Sequence, residues 1–396
     1  MNRITQCLHG RGTVSAVMKH RHGNGAVPGR YLAFAGMRSP VVFWNLTDRC
    51  NLSCTHCYST SGPGSQTSGE LTAAEARAFI DDLAAAKIPL VIFTGGEPLL
   101  HPDIWELAEY CREKGIRTAL STNGTLVNGE VAGKIKHSGI GYAGISLDGA
   151  IPATHDRFRN SPGAFDRAVA AFVGCRKAGV RTGVRVTLTK ENQGELPALV
   201  DLARDLGASR FCLYWLVPCG RGSDGYERLQ LDGEDVTRAL TLLYRKAKDI
   251  PAEEMEFLTV DAPQDCIQLL QSMERDGSAD LEDARGLLAS LHGGCSAGDR
   301  VANVDPRGNV YPCQFARSPD FLVGNIRDRP FSALWNDDGN PVLARFRTKP
   351  RKLQGKCQSC SYLLLCGGGC RVRAYARTGN FSGEDPFCYL PWKTDL

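Results

Sequence analysis

Phe43-Trp44-Asn45-Leu46-Thr47-Asp48-Arg49-Cys50-Asn51-Leu52-Ser53-Cys54-Thr55-His56-Cys57-Tyr58 decides how the rest of the chain is read. A short apolar run leads straight into C-x3-C-x2-C, so Cys50, Cys54 and Cys57 share one tight loop. A structural zinc site is a closed tetrahedron of four ligands. Three thiolates suit a cubane iron-sulfur cluster with one iron left open to a substrate or cofactor. The competing reading is a zinc knuckle that borrows a fourth ligand such as His56, and spacing alone leaves both standing.

Working outward, short apolar runs alternate with helical spacing. Val41–Leu46, Leu90–Thr94, Ile116–Ser121, Tyr142–Leu147, Val180–Leu188 and Arg210–Val217 read as six strands. Thr72–Lys87, Pro102–Lys114, Gly129–His137, Ala164–Ala178 and Glu195–Leu206 read as the five helices between them. Thr72 and Glu75 open the first of these in capping-box spacing. This alternation predicts an α/β fold with a parallel sheet and helices outside it. Right-handed crossovers would curl the sheet into part of a β/α barrel, with ligands at the C-terminal strand ends.

The segments leaving those ends are the unusual ones. They are the cysteine loop, Thr94-Gly95-Gly96-Glu97-Pro98, Ser121-Thr122-Asn123-Gly124, Ser146-Leu147-Asp148-Gly149 and Pro218-Cys219-Gly220-Arg221-Gly222. His155-Asp156-Arg157-Phe158-Arg159 follows the fourth strand. Each alone passes for an ordinary turn. Gathered at one mouth of one barrel they point to a binding site.

The chain has 396 residues, 42% hydrophobic, enough for a large domain and a smaller one. No apolar stretch approaches the roughly 20 residues of a membrane span, and no signal-peptide h-region is present. A net charge of +4 with both signs interspersed predicts neither a nucleic-acid nor a membrane partner. Sixteen cysteines fall mainly into two dense groups, which favours a reduced, metal-loaded, cytoplasmic protein over a disulfide framework. Residues 1–40 read as an extension, with His9, His20 and His22 solvated and Cys7 a free thiol. Cys111, Cys175 and Cys212 lie in predicted elements and read as core.

Residues 223–292 read as a charged helical bridge holding Cys266. From Gly293 the character changes. Cys295 and Cys313 bracket a predicted β-hairpin around Asp305–Asn309, and Cys357-x2-Cys360-x5-Cys366-x3-Cys370-x17-Cys388 follows. Zinc ribbons are the alternative to iron-sulfur clusters here.

These motifs together resemble radical S-adenosylmethionine (SAM) enzymes with a C-terminal SPASM domain. The resemblance implies a partial (β/α)6 barrel over 41–222 and an auxiliary-cluster domain over 293–396. It implies that Cys50, Cys54 and Cys57 hold a [4Fe-4S] cluster whose open iron binds SAM. Reductive cleavage of SAM would then give a 5′-deoxyadenosyl radical that takes hydrogen from a substrate carbon. Gly95, Gly96, Glu97 and Pro98 match the segment facing the SAM amino group, and Ser121 and Asn123 the segment lying on SAM. Asp148 falls in the matching Ser-Leu-Asp-Gly segment, Arg159 matches an arginine that pairs with the SAM carboxylate, and Tyr58 lies near the adenine.

The resemblance further implies two auxiliary clusters. Cys357, Cys360, Cys366 and Cys388 would hold the outer one, and Cys295, Cys313 and Cys370 the inner one. A further cysteine often precedes the position of Cys295 and is missing here; Cys266 could replace it across a longer gap, or the position stays open. Pro40–Thr47, Arg185–Asn192, Gly220-Arg221-Gly222 and Gly324–Phe331 are similar to the NirJ/Ahb group, which remodels tetrapyrrole side chains in heme-type biosynthesis. Arg157, Arg185 and Arg221 would then be candidates for pairing with substrate carboxylates. An electron donor such as flavodoxin or ferredoxin is implied. Two other classes stay open: a SPASM maturase of a ribosomally made peptide, and a non-enzymatic iron-sulfur or zinc scaffold.

Overall fold

The structure is a computed structural model and describes residues 2–10, 39–290 and 293–391. His20 and His22 lie outside them. The strands are β1 (Asn2–Arg3), β2 (Val41–Asn45), β3 (Leu90–Thr94), β4 (Arg117–Thr122), β5 (Ile140–Ser146), β6 (Arg181–Leu188), β7 (Arg210–Trp215), β8 (Glu256–Val260), β9 (Val301–Val304), β10 (Asn309–Tyr311) and β11 (Gly324–Asn325). They form one sheet in the order β1-β8-β7-β6-β5-β4-β3-β2-β9-β10-β11.

β2 to β7 are the six predicted strands, parallel and adjacent in chain order. β2 and β3 are buried on both faces along most of their length, which fits their continuous apolar runs, whereas β6 alternates and turns Arg185 and Thr187 away from the core. In β2, Val42 and Trp44 join the core beneath the helices, while Val41 and Phe43 join a separate cluster with Leu90, Ala119 and Tyr142. Trp44 packs edge-on against Phe79 of helix Ala73–Ala85, ring centroids 4.9 Å apart. The expected capping box forms at the start of that helix. Cys111, Cys175 and Cys212 are buried as expected.

The structure corrects three expectations. First, the 223–292 bridge is not wholly helical. Glu256–Val260 enters the sheet as β8, parallel to β7. Its polar first residue hides the strand in sequence, yet Glu256 is fully buried and pairs with Arg210 at 2.8 Å. Second, the start of the chain is part of the fold. Asn2 and Arg3 pair antiparallel with β8, and Ile4, Cys7 and Leu8 of the following helix Ile4–His9 are core residues. The Asn2 side chain donates to Ala262 O at 2.8 Å, and Thr5 Oγ1 accepts from the Phe257 N–H at 2.8 Å. Third, Pro152–Arg159 is a helix. It is too polar to announce itself by periodicity, and it buries only Thr154, His155, Phe158 and Arg159, the spacing of one helical face.

The predicted hairpin around Asp305–Asn309 is present as β9 and β10. β9 also pairs parallel with β2, so the C-terminal region extends the barrel wall beside the cysteine loop. Asn303 Nδ2 donates to Asn45 Oδ1 at 2.6 Å and to Phe43 O at 2.8 Å, fixing that register. Arg317 pairs with Asp48, two residues before the first cysteine, at 3.3 Å.

Candidate active site

The cysteine loop leaves β2 and folds over the open end of the barrel. Cys50, Leu52, Cys54 and Cys57 pack as one cluster. Each sulfur has a polar neighbour. Cys50 accepts from the Leu52 N–H at 3.4 Å and more distantly from Asn123 Nδ2 at 3.9 Å. Cys54 accepts from Arg159 Nη1 at 3.6 Å, and Cys57 Sγ lies 3.4 Å from Ser59 Oγ. Hydrogen bonds to ligating sulfur tune an iron-sulfur centre, so this donor set fits one.

A zinc knuckle would need His56 as its fourth ligand, and that ring is engaged with other partners. His56 stacks on Phe158 at 4.3 Å, and its Nε2 faces Asp148 at 4.0 Å. Burial, helped by the neighbouring Arg159, holds the His56 ring neutral.

The segment 95–98 is fitted to the base of this loop. The Gly96 N–H donates to Thr47 O and the Glu97 N–H to Arg49 O, each at 2.8 Å. A Cβ on Gly96 would lie 2.1 Å from Arg49 O, so only glycine permits the approach. Glu97 itself is fully buried and faces β4. Its carboxylate accepts from Thr122 Oγ1 at 2.7 Å, the Asn123 N–H at 2.8 Å and the Leu99 N–H at 3.2 Å. Burial pushes its pKa up to about 7 against those hydrogen bonds.

Arg159, carried by the helix missed in sequence, ties the cluster loop to β5 and β6. Its guanidinium pairs with Asp148, which is wholly buried. Asp148 Oδ1 accepts from the Thr187 N–H at 2.7 Å, and Asn192 Nδ2 donates to Asp148 O at 2.8 Å. Burial disfavours the charged guanidinium, but Asp148 and Cys54 outweigh it and keep Arg159 protonated.

A cavity of about 150 Å³ opens above these groups. Of the predicted SAM contacts, Tyr58, Gly95, Gly96, Ser121, Asn123 and Arg159 line it, beside all three loop cysteines. Glu97, Pro98 and Asp148 stand behind this wall as supports. Tyr58 is positioned by hydrogen bonds to Asn45 at 3.1 Å and Thr94 at 3.4 Å, and its ring meets Phe315 edge-on.

The three arginines separate clearly. Arg157 is exposed on the far side of its helix and does not line the cavity. Arg221 reaches it, but Nε donates to Cys54 O and Nη2 to Ser61 O, both at 2.8 Å, so it clamps the cysteine loop. Arg185 lies on the cavity wall, stacked on Tyr214 at 4.9 Å, with no ion-pair partner among the described residues. Sequence reading missed Tyr214, Thr187, Gln314 and Phe315 as lining residues; strand alternation in β6 and β7 could have found the first two.

The C-terminal cysteines sort into two places. Cys357, Cys360, Cys366 and Cys388 line one small cavity with Gln264, Gly368 and Gly369. Four thiols around one cavity is the donor set of a fully ligated cluster. Cys295, Cys313 and Cys370 pack around a different core that includes Val217 and Phe346. Cys266 does not pack with the inner set: it is buried in the main barrel core, against which Cys388 of the outer set also packs.

Residues 44–203 match the Radical SAM superfamily, and residues 295–361 match SPASM, an iron-sulfur cluster-binding domain. The chain therefore belongs to the radical SAM enzymes that carry a SPASM domain, and a [4Fe-4S] cluster and SAM are the cofactors of that class. Within it, the chain is 38% identical to the Fe-coproporphyrin III synthase of Methanosarcina barkeri, over 96% of this chain and 95% of the relative. It is 39% identical to the pre-heme d1 synthase of Dinoroseobacter shibae, over 90% and 87%. A mycofactocin maturase, MftC of Mycobacterium tuberculosis, is 33% identical over 89% and 84%. Among solved structures, Streptococcus suis SuiB bound to S-adenosylmethionine shares the fold, with TM-score 0.69 and 19% identity over 89% of this chain and 78% of that one. Among the described residues no helix is long and apolar enough to cross a membrane.

Proposed function

We propose that this enzyme remodels a carboxylate-bearing side chain of a tetrapyrrole in heme-type biosynthesis, by oxidation, decarboxylation or side-chain loss. The observation that carries this reading is the near full-length similarity to relatives named for heme-type products. Arg185 supports it from the site. A partly buried guanidinium with no carboxylate partner among the described residues favours an anionic ligand. When bound, SAM and the reduced [4Fe-4S] cluster supply a 5′-deoxyadenosyl radical for hydrogen abstraction. Cys50, Cys54 and Cys57 hold the cluster. Arg221 fixes their loop, Arg159 and Asn123 approach its sulfurs, and Tyr58, Ser121 and the Gly95–Gly96 backbone form the wall for SAM. Cys357, Cys360, Cys366 and Cys388 hold one auxiliary cluster; Cys295, Cys313 and Cys370 contribute to a second. A reductant such as flavodoxin or ferredoxin feeds them in a cytoplasmic setting.

Anaerobic reconstitution followed by 5′-deoxyadenosine and product analysis tests the reading. Candidate iron-free and iron-bearing tetrapyrroles should bind with a Soret-band shift and be modified. Turnover of a peptide with no tetrapyrrole reaction would overturn it in favour of a maturase.

Arg185→Met should raise KM for a carboxylate-bearing tetrapyrrole by about 10- to 100-fold, as expected for losing one charged hydrogen bond of about 1.5–3 kcal/mol. SAM affinity, measured by calorimetry without substrate, should stay unchanged. Equal losses for substrate and SAM would assign Arg185 to the cofactor instead. Cys360→Ala should leave SAM cleavage within a few-fold of wild type, since the residue lies at the other cavity, while product formation falls much further. That contrast is read by comparing 5′-deoxyadenosine with product in one reaction.

A further inference from the structure

Three inner thiols leave a cubane one ligand short. The structure brings another thiol to the same place from the barrel. Leu216, Val217, Pro218 and Cys219 leave the C-terminal end of β7 and turn sharply, the Cys219 N–H bonding Val217 O at 2.8 Å. Gly220 then takes a left-handed φ of 54°, and a Cβ there would lie 2.4 Å from Cys57 O. The segment is thereby wedged between the cysteine loop and the C-terminal region.

Arg373 sets it against the inner cysteines. The Arg373 N–H donates to Cys370 Sγ at 3.4 Å. Its fully buried side chain donates to Leu216 O at 3.2 Å and Asp261 O at 3.0 Å, and pairs with Asp385 at 3.0 Å. One residue thus fixes the main chain before Cys219 relative to the sulfur of Cys370. Val217 and Cys370 belong to one buried cluster, and Cys219, Cys295 and Cys313 all pack against it. Cys266 lies instead in the main core.

We propose that Cys219 is the fourth protein ligand of the inner auxiliary cluster, so that a barrel loop and the C-terminal domain share that centre. This rests on the reading of two auxiliary clusters given above. The cluster would then be fully ligated by Cys219, Cys295, Cys313 and Cys370, with no iron left open to substrate. It would also stand one short loop from Cys57, because Gly220 abuts the carbonyl of that residue. Asp261 is the rival donor. It adopts a positive φ of 75° at the end of β8, and its buried Oδ2 has no hydrogen-bond partner among the described residues.

The test uses full-length protein in which Cys50, Cys54 and Cys57 are all changed to Ala, so that only auxiliary clusters remain. After anaerobic reconstitution, iron, sulfide, Mössbauer and EPR signals are compared with and without Cys219→Ala, Cys219→Ser, Cys266→Ala and Asp261→Asn. Cys219→Ala should lose or degrade one of two clusters, for example to a three-iron form. Cys219→Ser should keep it with shifted EPR g values, which separates ligation from misfolding. Cys266→Ala should match the parent. A Cys219→Ala spectrum identical to the parent overturns the assignment, and a loss confined to Asp261→Asn transfers it to the carboxylate. If the parent itself holds iron for one cluster only, the two-cluster reading fails, and this proposal with it.

Discussion

Cys54→Ala is expected to abolish reductive SAM cleavage while leaving the protein folded. The reason lies in how the loop is held. Arg221 grips the main-chain oxygens of Cys54 and Ser61, and the Gly96 and Glu97 amides hold Thr47 and Arg49. None of these contacts uses the Cys54 side chain. Truncating a buried thiol without breaking the loop should cost about 1 kcal/mol, the centre of the distribution for single substitutions. The ligand loss is of another order. Removing an outer-shell partner of a metal site typically costs 10- to 100-fold, and loss of a first ligand should exceed that, about 10³-fold or more. Iron should fall by one cluster's share with the auxiliary signals intact. Thermal unfolding close to wild type, with no 5′-deoxyadenosine above background, is the expected pair of results. Residual cleavage near wild-type rates would remove the loop from the chemistry altogether.

Much of this was legible in the sequence because the relevant signals are local. β2 and β3 are buried along almost their whole length and read as short apolar runs, and β4 to β7 keep enough buried apolar residues between their polar ones to be placed. The cysteine spacing and the strand-end turns are short motifs that survive without knowledge of the fold. What escaped depends on distant partners. β8 begins with Glu256, whose burial makes sense only once Arg210 lies beside it on the neighbouring strand. The helix Pro152–Arg159 is held by Phe158 stacking on His56 and by Arg159 pairing with Asp148, neither of which a hydropathy pattern records. Arg221 reads in sequence as a candidate for substrate carboxylates, yet it is a clamp, because its acceptors are main-chain oxygens about 160 residues away. Arg185 reads no differently from Arg221 in sequence, and both line the cavity; the main-chain acceptors of Arg221 and the stacking of Arg185 on Tyr214 separate the two. Sequence spacing does not distinguish Cys219 from Cys266, because the two differ in which core they pack against.

Arg159 has two jobs that one substitution would confound, and a second substitution separates them. Arg159→Met should destabilise the protein by about 3–5 kcal/mol, the usual result of leaving a buried charge unpaired. The pair qualifies: the Asp148 side chain is wholly buried and that of Arg159 is 9% exposed, so solvent and salt screen little. Arg159→Met should also remove the donor to Cys54 and the cation facing the cavity, and with them SAM cleavage. Asp148→Asn added to Arg159→Met removes the orphaned charge. An asparagine oxygen can still accept from the Thr187 amide, and the Asn192 bond to the main chain is untouched. Most of the lost stability should therefore return, as read by urea denaturation. Cleavage should not return if Arg159 acts on the cluster sulfur and the SAM carboxylate. Recovery of both would make Arg159 a structural partner of Asp148 and nothing more. Recovery of stability alone would place its charge in the cofactor site, because the neutral methionine fills the same space on a restored fold.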